Sequence, residues 1–228
     1  MSLIKHHPTT ELLQQFANGT TSPALSLAVS AHVDMCPHCQ RALDVIEAEL
    51  AQAWSLKEEP ALQTQESALP DEFSQMFDAI VAEPAERMVE TKPVSTSIAL
   101  GDRQFILPRA LQRFTDVKGK WLHLGKLARA SLPLDDEAKA SFIYIEGDGQ
   151  IPEHTHGGVE WTLVLDGSFS DEEGKYNAGD FIRCDGSHKH SPRTEMGEDC
   201  LCFAVVEAPL HFTSGLSRLL NPIARFMQ

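Results

Sequence analysis

Three potential metal ligands lie close together near the amino terminus of the chain. His32, Cys36 and Cys39 have the spacing HxxxCxxC. Two thiolates and an imidazole match the preferences of Zn²⁺, which at a closed structural site takes four nitrogen or sulfur ligands in a tetrahedron. His7 can supply the fourth ligand from upstream, and the adjacent His6 offers the same chemistry. The sequence therefore predicts a structural zinc site.

The local structure expected around this motif favours metal binding. Cys36 precedes Pro37, a pair typical of a helix start, where free backbone N–H groups and the helix dipole favour a thiolate. His32 would end the preceding helix, so one ion would hold two helix ends together. His38, inside the CPHC loop, is interpreted as a solvated neighbour. A thioredoxin-like redox motif is excluded because no predicted strand precedes the cysteines.

A second set of potential ligands lies in the segments PEHTHGGVEW and SHKHSP. His154 and His156 alternate along one predicted strand, so their side chains point to the same face. Glu160 follows after two glycines, and His190 lies further along the chain. Three imidazoles and a carboxylate suit zinc as a closed site, or iron, manganese or nickel with open positions for catalysis. We expect one divalent metal ion on these four residues.

The first half of the chain is predicted to be helical. Apolar periodicity and helix-start signals indicate four helices. Their predicted starts are Pro8, the Ser22-Pro23 pair, Pro37 and Pro70. The polar segments 55–69 and 84–97 read as linkers.

The fourth predicted helix carries a strongly apolar stripe at positions i, i+3, i+4, i+7 and i+8. The stripe consists of Phe73, Met76, Phe77, Ile80 and Val81. An apolar stripe of this width must be buried, either on the first three helices or against a partner protein.

From Ile98 onward the pattern changes to short alternating runs separated by glycine and aspartate. Many short strands without intervening helices predict an all-β barrel or jelly roll. Cys200 and Cys202 fall on one face of such a strand and are interpreted as small core residues. The tail GLSRLLNPIARF is compatible with a short helix covering the barrel. The predicted fold class is therefore α + β multidomain, helical in its first part and all-β in its second.

The charge of the chain limits the classes of partner. Its 228 residues carry a formal charge of −14, which repels phosphate backbones and suits a basic protein partner. A DNA-binding finger at the cysteines conflicts with this charge and with the lack of a basic recognition helix. No segment approaches the roughly 20 apolar residues that span a bilayer, and the start MSLIKHHPTT has no secretory h-region. A cytoplasmic location is expected.

The two ligand patterns resemble two known families. The upstream histidine, the HxxxCxxC motif and the helix, linker and helix that follow resemble the zinc anti-sigma domain over roughly the first 85 residues. The HxH pair, the following glutamate and the distant histidine resemble the two cupin motifs, and counting from Gly179 selects His190 rather than His188. The sequence departs from the cupin motifs only at turn or flanking positions, namely Asp148, Asp185, Ser187 and Thr194.

Together, the two patterns resemble the ChrR-type anti-sigma factors. The resemblance implies a zinc-binding helical domain at residues 1–85, a linker at 86–97 and a metal-binding cupin at 98–228. It places the helical zinc ligands at four positions: His7, His32, Cys36 and Cys39. It also implies that the helical domain inhibits an extracytoplasmic-function sigma factor, and that the cupin is needed to respond to oxidative signals such as singlet oxygen. The alternative hypothesis is a cupin-type metal-dependent oxygenase with an accessory helical zinc domain, which leaves the zinc domain without a role.

Overall fold

The computed structural model describes residues 4–55, 71–83, 95–116, 121–134 and 137–213. The two predicted linkers lie almost entirely outside the described residues, and the predicted helix in the carboxyl-terminal tail lies wholly outside them.

Helices occupy the described part of the first half. They are α1 (Thr10–Ala17), α2 (Pro23–Met35), α3 (Pro37–Ser55) and α4 (Asp71–Ala82). The four predicted helices are therefore confirmed. The prediction that α1 begins at Pro8 is wrong, because the hydroxyl of Thr9 accepts a hydrogen bond from Leu12 N at 3.2 Å and so caps a helix that begins two residues later, at Thr10.

The predicted starts of α2 and α3 are confirmed. The hydroxyl of Ser22 accepts a hydrogen bond from Leu25 N at 3.3 Å, and Pro23 occupies the first helical position, where a missing N–H costs nothing. Pro37 begins α3 in the same way, directly after Cys36. Only Cys36 therefore separates α2 from α3, so the end of one helix and the start of the next lie side by side.

The described part of the second half consists of short strands and one 3-10 helix, Arg109–Phe114. The strands are β1 (Ser97–Leu100), β2 (Arg103–Ile106), β3 (Leu122–Leu124), β4 (Leu127–Ser131), β5 (Lys139–Ile145), β6 (His154–His156), β7 (Glu160–Ser170), β8 (Lys175–Asn177), β9 (Phe181–Cys184), β10 (Lys189–His190), β11 (Cys200–Val206) and β12 (Leu210–Phe212). The predicted all-β architecture is confirmed.

The strands form three antiparallel sheets. The largest has the order β3-β4-β5-β11-β7-β8, with β9 also paired to β7. A second sheet has the order β10-β6-β12, and β1 pairs with β2. Strand β6 therefore carries the HxH pair, and its neighbour β10 brings His190 opposite His154.

One face of the largest sheet carries a buried apolar cluster. On β11, Cys202 pairs with Ile143 on β5 and with Val164 on β7, and its neighbour Cys200 shares the same face. Both thiols are buried, with their Sγ atoms 3.5 Å apart. The interpretation of these two cysteines as core residues is confirmed.

The chain divides into two compact units, one formed by Met1–Glu47 with Ser95–Gln228 and the other by Ala48–Val94. In the first unit, α2 packs against β7, β11 and the 3-10 helix as well as against α1. Its side chains are accordingly buried on most sides, as expected for a helix that is apolar around most of its circumference. The buried residues are Ala24, Leu25, Ala28, Val29, Ala31 and His32.

The second unit contains α4. All five side chains of its apolar stripe are exposed, with between 54% and 66% of their surface accessible. No helix among the described residues is long and apolar enough to cross a membrane.

Candidate metal centres

The first candidate centre is a group of four side chains whose ligand atoms all lie within 4.8 Å of one another. This amino-terminal cluster consists of His7, His32, Cys36 and Cys39. His7 Nδ1 lies 3.5 Å from Cys36 Sγ and 3.4 Å from Cys39 Sγ, while His32 Nε2 lies 3.3 Å from Cys39 Sγ. The nitrogen–sulfur edge of a tetrahedral zinc site measures about 3.5 Å when built from ordinary Zn–N and Zn–S bonds. The cluster therefore fits a zinc ion.

Two helix ends and the segment before α1 position this cluster. His32 lies in the last turn of α2, and its carbonyl oxygen accepts a hydrogen bond from Cys36 N at 2.8 Å. Cys39 lies in the first turn of α3. The structure brings His7 rather than His6 into the cluster, since the ring of His6 packs instead against Tyr176, 5.0 Å away between ring centroids.

The protonation of the cluster suits a metal ion. Burial lowers the pKa of His32 to about 4, so its imidazole is neutral and can act as a ligand. His32 Nδ1 donates to the carbonyl oxygen of Gly179 at 2.8 Å, which leaves the lone pair on Nε2, facing Cys39. Burial, followed by the neighbouring Cys36, raises the pKa of the Cys39 thiol to about 12. A thiolate at this position therefore requires a nearby cation.

The second candidate centre is a group of three buried imidazoles whose ligand atoms lie within 4.8 Å of one another. This histidine cluster consists of His154, His156 and His190. His190 Nε2 lies 3.1 Å from Nε2 of His154 and 3.1 Å from Nε2 of His156. Metal–nitrogen bonds of ordinary length place such atoms about 2.9 Å apart at right angles and about 3.3 Å apart in a tetrahedron. The spacing thus accommodates zinc or another divalent transition metal.

Neighbouring oxygens orient two of these rings. His154 Nδ1 donates to the carbonyl oxygen of Pro152 at 2.8 Å, and His190 Nδ1 donates to Asp171 Oδ2 at 3.1 Å. Burial also lowers the pKa of His154 to about 4, which keeps its ring neutral. The two Nε2 lone pairs consequently point at each other, and either a proton or a cation must lie between them. This arrangement is typical of histidines that bind a metal.

Glu160, the fourth predicted ligand of this centre, is not brought to the same point. Its Oε2 lies 3.0 Å from His156 Nδ1, at an angle that forms no hydrogen bond, so this buried nitrogen has no hydrogen-bond partner. Its Oε1 accepts a hydrogen bond from Thr162 Oγ1 at 2.8 Å. Burial by itself would raise the pKa of Glu160, but its contacts with His156, His154 and Thr162 lower it to about 2. An ionised carboxylate therefore stands beside the histidine cluster, on the Nδ1 side of His156.

Two residues that support the centres were not predicted from the sequence. Asp171 orients His190, and its other oxygen accepts hydrogen bonds from the backbone of Glu173 and Gly174 at 2.9 and 3.2 Å. A turn of this kind can be anticipated from the sequence DEEG, but its contact with a histidine 19 residues later cannot. Gly179, which orients His32, is separated from it by 147 residues and gives no local signal.

Comparisons with known proteins cover both centres. Residues 116–209 match the family described as ChrR Cupin-like domain, and residues 8–40 match a zinc-finger family. The Anti-sigma-E factor ChrR of Cereibacter sphaeroides is 35% identical over 224 residues, which are 97% of this chain and 99% of that protein. The chain belongs to the ChrR-type anti-sigma factors. This membership identifies a family of regulators rather than enzymes.

A solved structure of the same family supports the fold. The crystal structure of Rhodobacter sphaeroides SigE in complex with the anti-sigma ChrR matches 90% of this chain and 99% of that chain, with 28% identity and a TM-score of 0.66. The predicted fold class, a helical amino-terminal part followed by a cupin-like β domain, is confirmed.

Proposed function

We propose that this chain binds and inhibits an extracytoplasmic-function sigma factor in the cytoplasm, and that its cupin domain releases the sigma factor in response to an oxidative signal. The observation that carries the proposal is the full-length match to ChrR, which covers both metal centres and extends to a relative crystallised with SigE. The formal charge of −14 supports it as well, because an acidic inhibitor attracts a basic partner.

The proposed division of labour follows the predicted domain boundaries. Residues 1–85 would bind the sigma factor, residues 86–97 would act as a linker, and the cupin at 98–228 would receive the signal. The apolar stripe of α4 belongs to the sigma-binding part, and its exposed side chains offer a surface suited to a helix-in-groove contact.

Each of the two centres would hold one metal ion. The amino-terminal cluster would bind zinc and thereby stabilise the junction of α2 and α3. The histidine cluster would bind zinc or another divalent transition metal. Glu160 is proposed as its fourth ligand, which requires its carboxylate to leave the Nδ1 side of His156.

The experiment that tests the proposal is a pull-down of candidate sigma factors co-expressed with the full chain. A Phe73→Asp/Phe77→Asp variant is expected to weaken binding of the captured sigma factor by at least about tenfold, because charged side chains disrupt an apolar interface. The control is Ile106→Asp on β2, which places one aspartate on an apolar side chain that is likewise exposed, at 78%. Equal sigma affinity in the α4 variant and the control would contradict the proposed surface, and failure to capture any sigma factor would contradict the function itself.

A further inference from the structure

A turn of the cupin domain reaches the amino-terminal cluster. It connects β8 with β9, and we refer to residues 177–181 as the cupin turn. The carbonyl oxygen of Gly179 accepts the 2.8 Å hydrogen bond from His32 Nδ1, and the ring of Phe181 packs edge-on against the same imidazole with 5.6 Å between centroids. Gly179 has a φ of +95°, and a Cβ at this position would lie 2.5 Å from Ile4 Cδ1. The positive φ favours glycine at this position, and the missing side chain leaves room for Ile4 of the amino-terminal segment.

The next residue of the turn holds the segment that carries the other imidazole ligand. Asp180 is fully buried. Its Oδ1 accepts hydrogen bonds from Lys5 N at 2.7 Å and from His6 N at 2.9 Å, and its Oδ2 accepts one from Asn177 N at 2.8 Å. In addition, Phe181 N donates to the carbonyl oxygen of His6 at 3.0 Å. Three hydrogen bonds thus fix residues 5 and 6 to the cupin turn, immediately before the ligand His7.

The turn is itself attached to the strand that borders the cupin metal centre. Gly179 N donates to the carbonyl oxygen of Val164 at 2.8 Å, and Val164 N donates to the carbonyl oxygen of Asp180 at 3.0 Å. Val164 belongs to β7, which begins at Glu160 beside the histidine cluster. The cupin turn that supports the zinc ligands is therefore hydrogen-bonded to β7, the strand that begins beside the histidine cluster.

From these contacts we infer that the cupin turn positions both imidazole ligands of the amino-terminal cluster, with Asp180 as the positioning residue. The docked cupin thereby strengthens zinc binding at the amino-terminal cluster. This inference rests on the proposed zinc site. Neighbours that orient a metal-bound histidine commonly contribute 10–100-fold in metal affinity. A displacement of β7 is expected to loosen His7 and His32 together.

The test uses Co²⁺ as a probe in the full chain, followed by competition with Zn²⁺. The charge-transfer absorption of a cobalt–thiolate bond reports on the amino-terminal cluster alone, because the histidine cluster contains no sulfur ligand. Asp180→Ala is expected to weaken zinc binding at this site by about 10–100-fold. Asp180→Asn is expected to lose less, because its carbonyl oxygen can still accept from Lys5 N and His6 N.

A second pair of variants leaves every cupin residue unchanged. Lys5→Pro removes the backbone donor to Asp180, whereas Lys5→Ala keeps it and serves as the matched control. We expect Lys5→Pro to weaken zinc binding, as Asp180→Ala does, and Lys5→Ala to bind zinc like the parent. When Lys5→Pro is combined with Asp180→Ala, the zinc affinity should fall little further than in Asp180→Ala alone. The two Lys5 variants test the positioning role of the cupin turn even if Asp180→Ala does not fold.

The outcomes separate the inference from the proposal on which it rests. If the parent shows the cobalt–thiolate band but Asp180→Ala and Lys5→Pro both retain its zinc affinity, the positioning role is wrong and the zinc site stands. If the parent itself shows no such band, the proposed zinc site is wrong, and the inference falls with it.

Discussion

The amino-terminal cluster and the histidine cluster are held by different kinds of neighbours. Two rings of the histidine cluster are oriented from within the barrel, by the Pro152 carbonyl oxygen and by the Asp171 carboxylate. The amino-terminal cluster instead has its His32 oriented by Gly179, on a turn of the cupin. The cupin centre is thus self-contained in its orienting contacts, whereas the helical centre shares them with the other half of the chain.

The two clusters also differ in ligand chemistry. Two thiolates and two imidazoles complete a tetrahedron, a closed arrangement that suits a structural role. Three imidazoles leave coordination positions to be filled, and at this site the nearest carboxylate, Glu160, stands beside His156 rather than among the ligand atoms. A centre with a carboxylate that can join or leave is better suited to change state than a closed one. The difference is consistent with the proposed structural role of the first centre and the proposed sensing role of the second.

The largest effect is expected when the thiolates are removed. Cys36→Ser/Cys39→Ser should abolish zinc binding at the amino-terminal cluster and sigma-factor capture with it, because structural zinc contributes on the order of 10 kcal/mol to small domains. Metal analysis and pull-down measure the two effects. His38→Ala is the control, since this exposed side chain lies between the two cysteines in the first turn of α3 and is not among the clustered ligand atoms. If the double cysteine variant still inhibits the sigma factor normally, the amino-terminal cluster has no structural role.

The next effect concerns the cupin centre. His154→Ala/His156→Ala should eliminate its metal while leaving sigma inhibition intact, and the variant should fail to release the sigma factor under oxidative stress. A reporter gene driven by the sigma factor measures release. His188→Ala is the control, because His188 contacts Asp185 in the turn rather than the other imidazoles. A double histidine variant that responds like the parent would rule out the cupin as the sensor, and turnover of small oxygenated substrates by the iron-loaded parent would favour an enzyme instead.

A single substitution tests whether Glu160 is a ligand of the histidine cluster. Glu160→Gln is expected to lower the metal affinity of the histidine cluster on the order of 100-fold, because it replaces a charged ligand by a neutral one. Metal competition titrations in the full chain measure this affinity. Thr162→Val removes only the hydroxyl that donates to Glu160, so it is the matched control with a lesser expected loss. Metal affinity equal to that of the parent in Glu160→Gln would contradict Glu160 as a ligand.

The smallest effect is expected at Asp171. Asp171→Asn should weaken the metal at the histidine cluster about tenfold, because the amide orients His190 less strongly than the carboxylate. The cobalt–thiolate band of the amino-terminal cluster should be unchanged, which distinguishes a local effect from general destabilisation. An equal loss at both centres would contradict the self-contained character of the cupin centre.

Much of the architecture could be predicted from local patterns. The start at Ser22-Pro23, the stripe of α4 and the alternation around Cys200 and Cys202 each depend on neighbours within a few residues. Such spacing translates directly into helix caps, helix faces and strand faces. The predicted start of α1 at Pro8 is wrong because proline and threonine offer competing helix-start signals, and the threonine cap forms in the structure.

The ligand types were determined by the sequence, since HxxxCxxC spans two helix ends and HxH presents two imidazoles on one strand face. Tertiary structure alone decided which neighbours orient them. It selected His7 over His6, placed Glu160 beside His156 instead of among the imidazoles, and brought Gly179 to a ligand 147 residues away. The contacts of His7 and Gly179 join segments that are distant in the chain, and their geometry arises only when α2 and the amino-terminal segment pack on the cupin sheet. Glu160 and His156 are only four residues apart, and their geometry depends on the strands β6 and β7 that carry them.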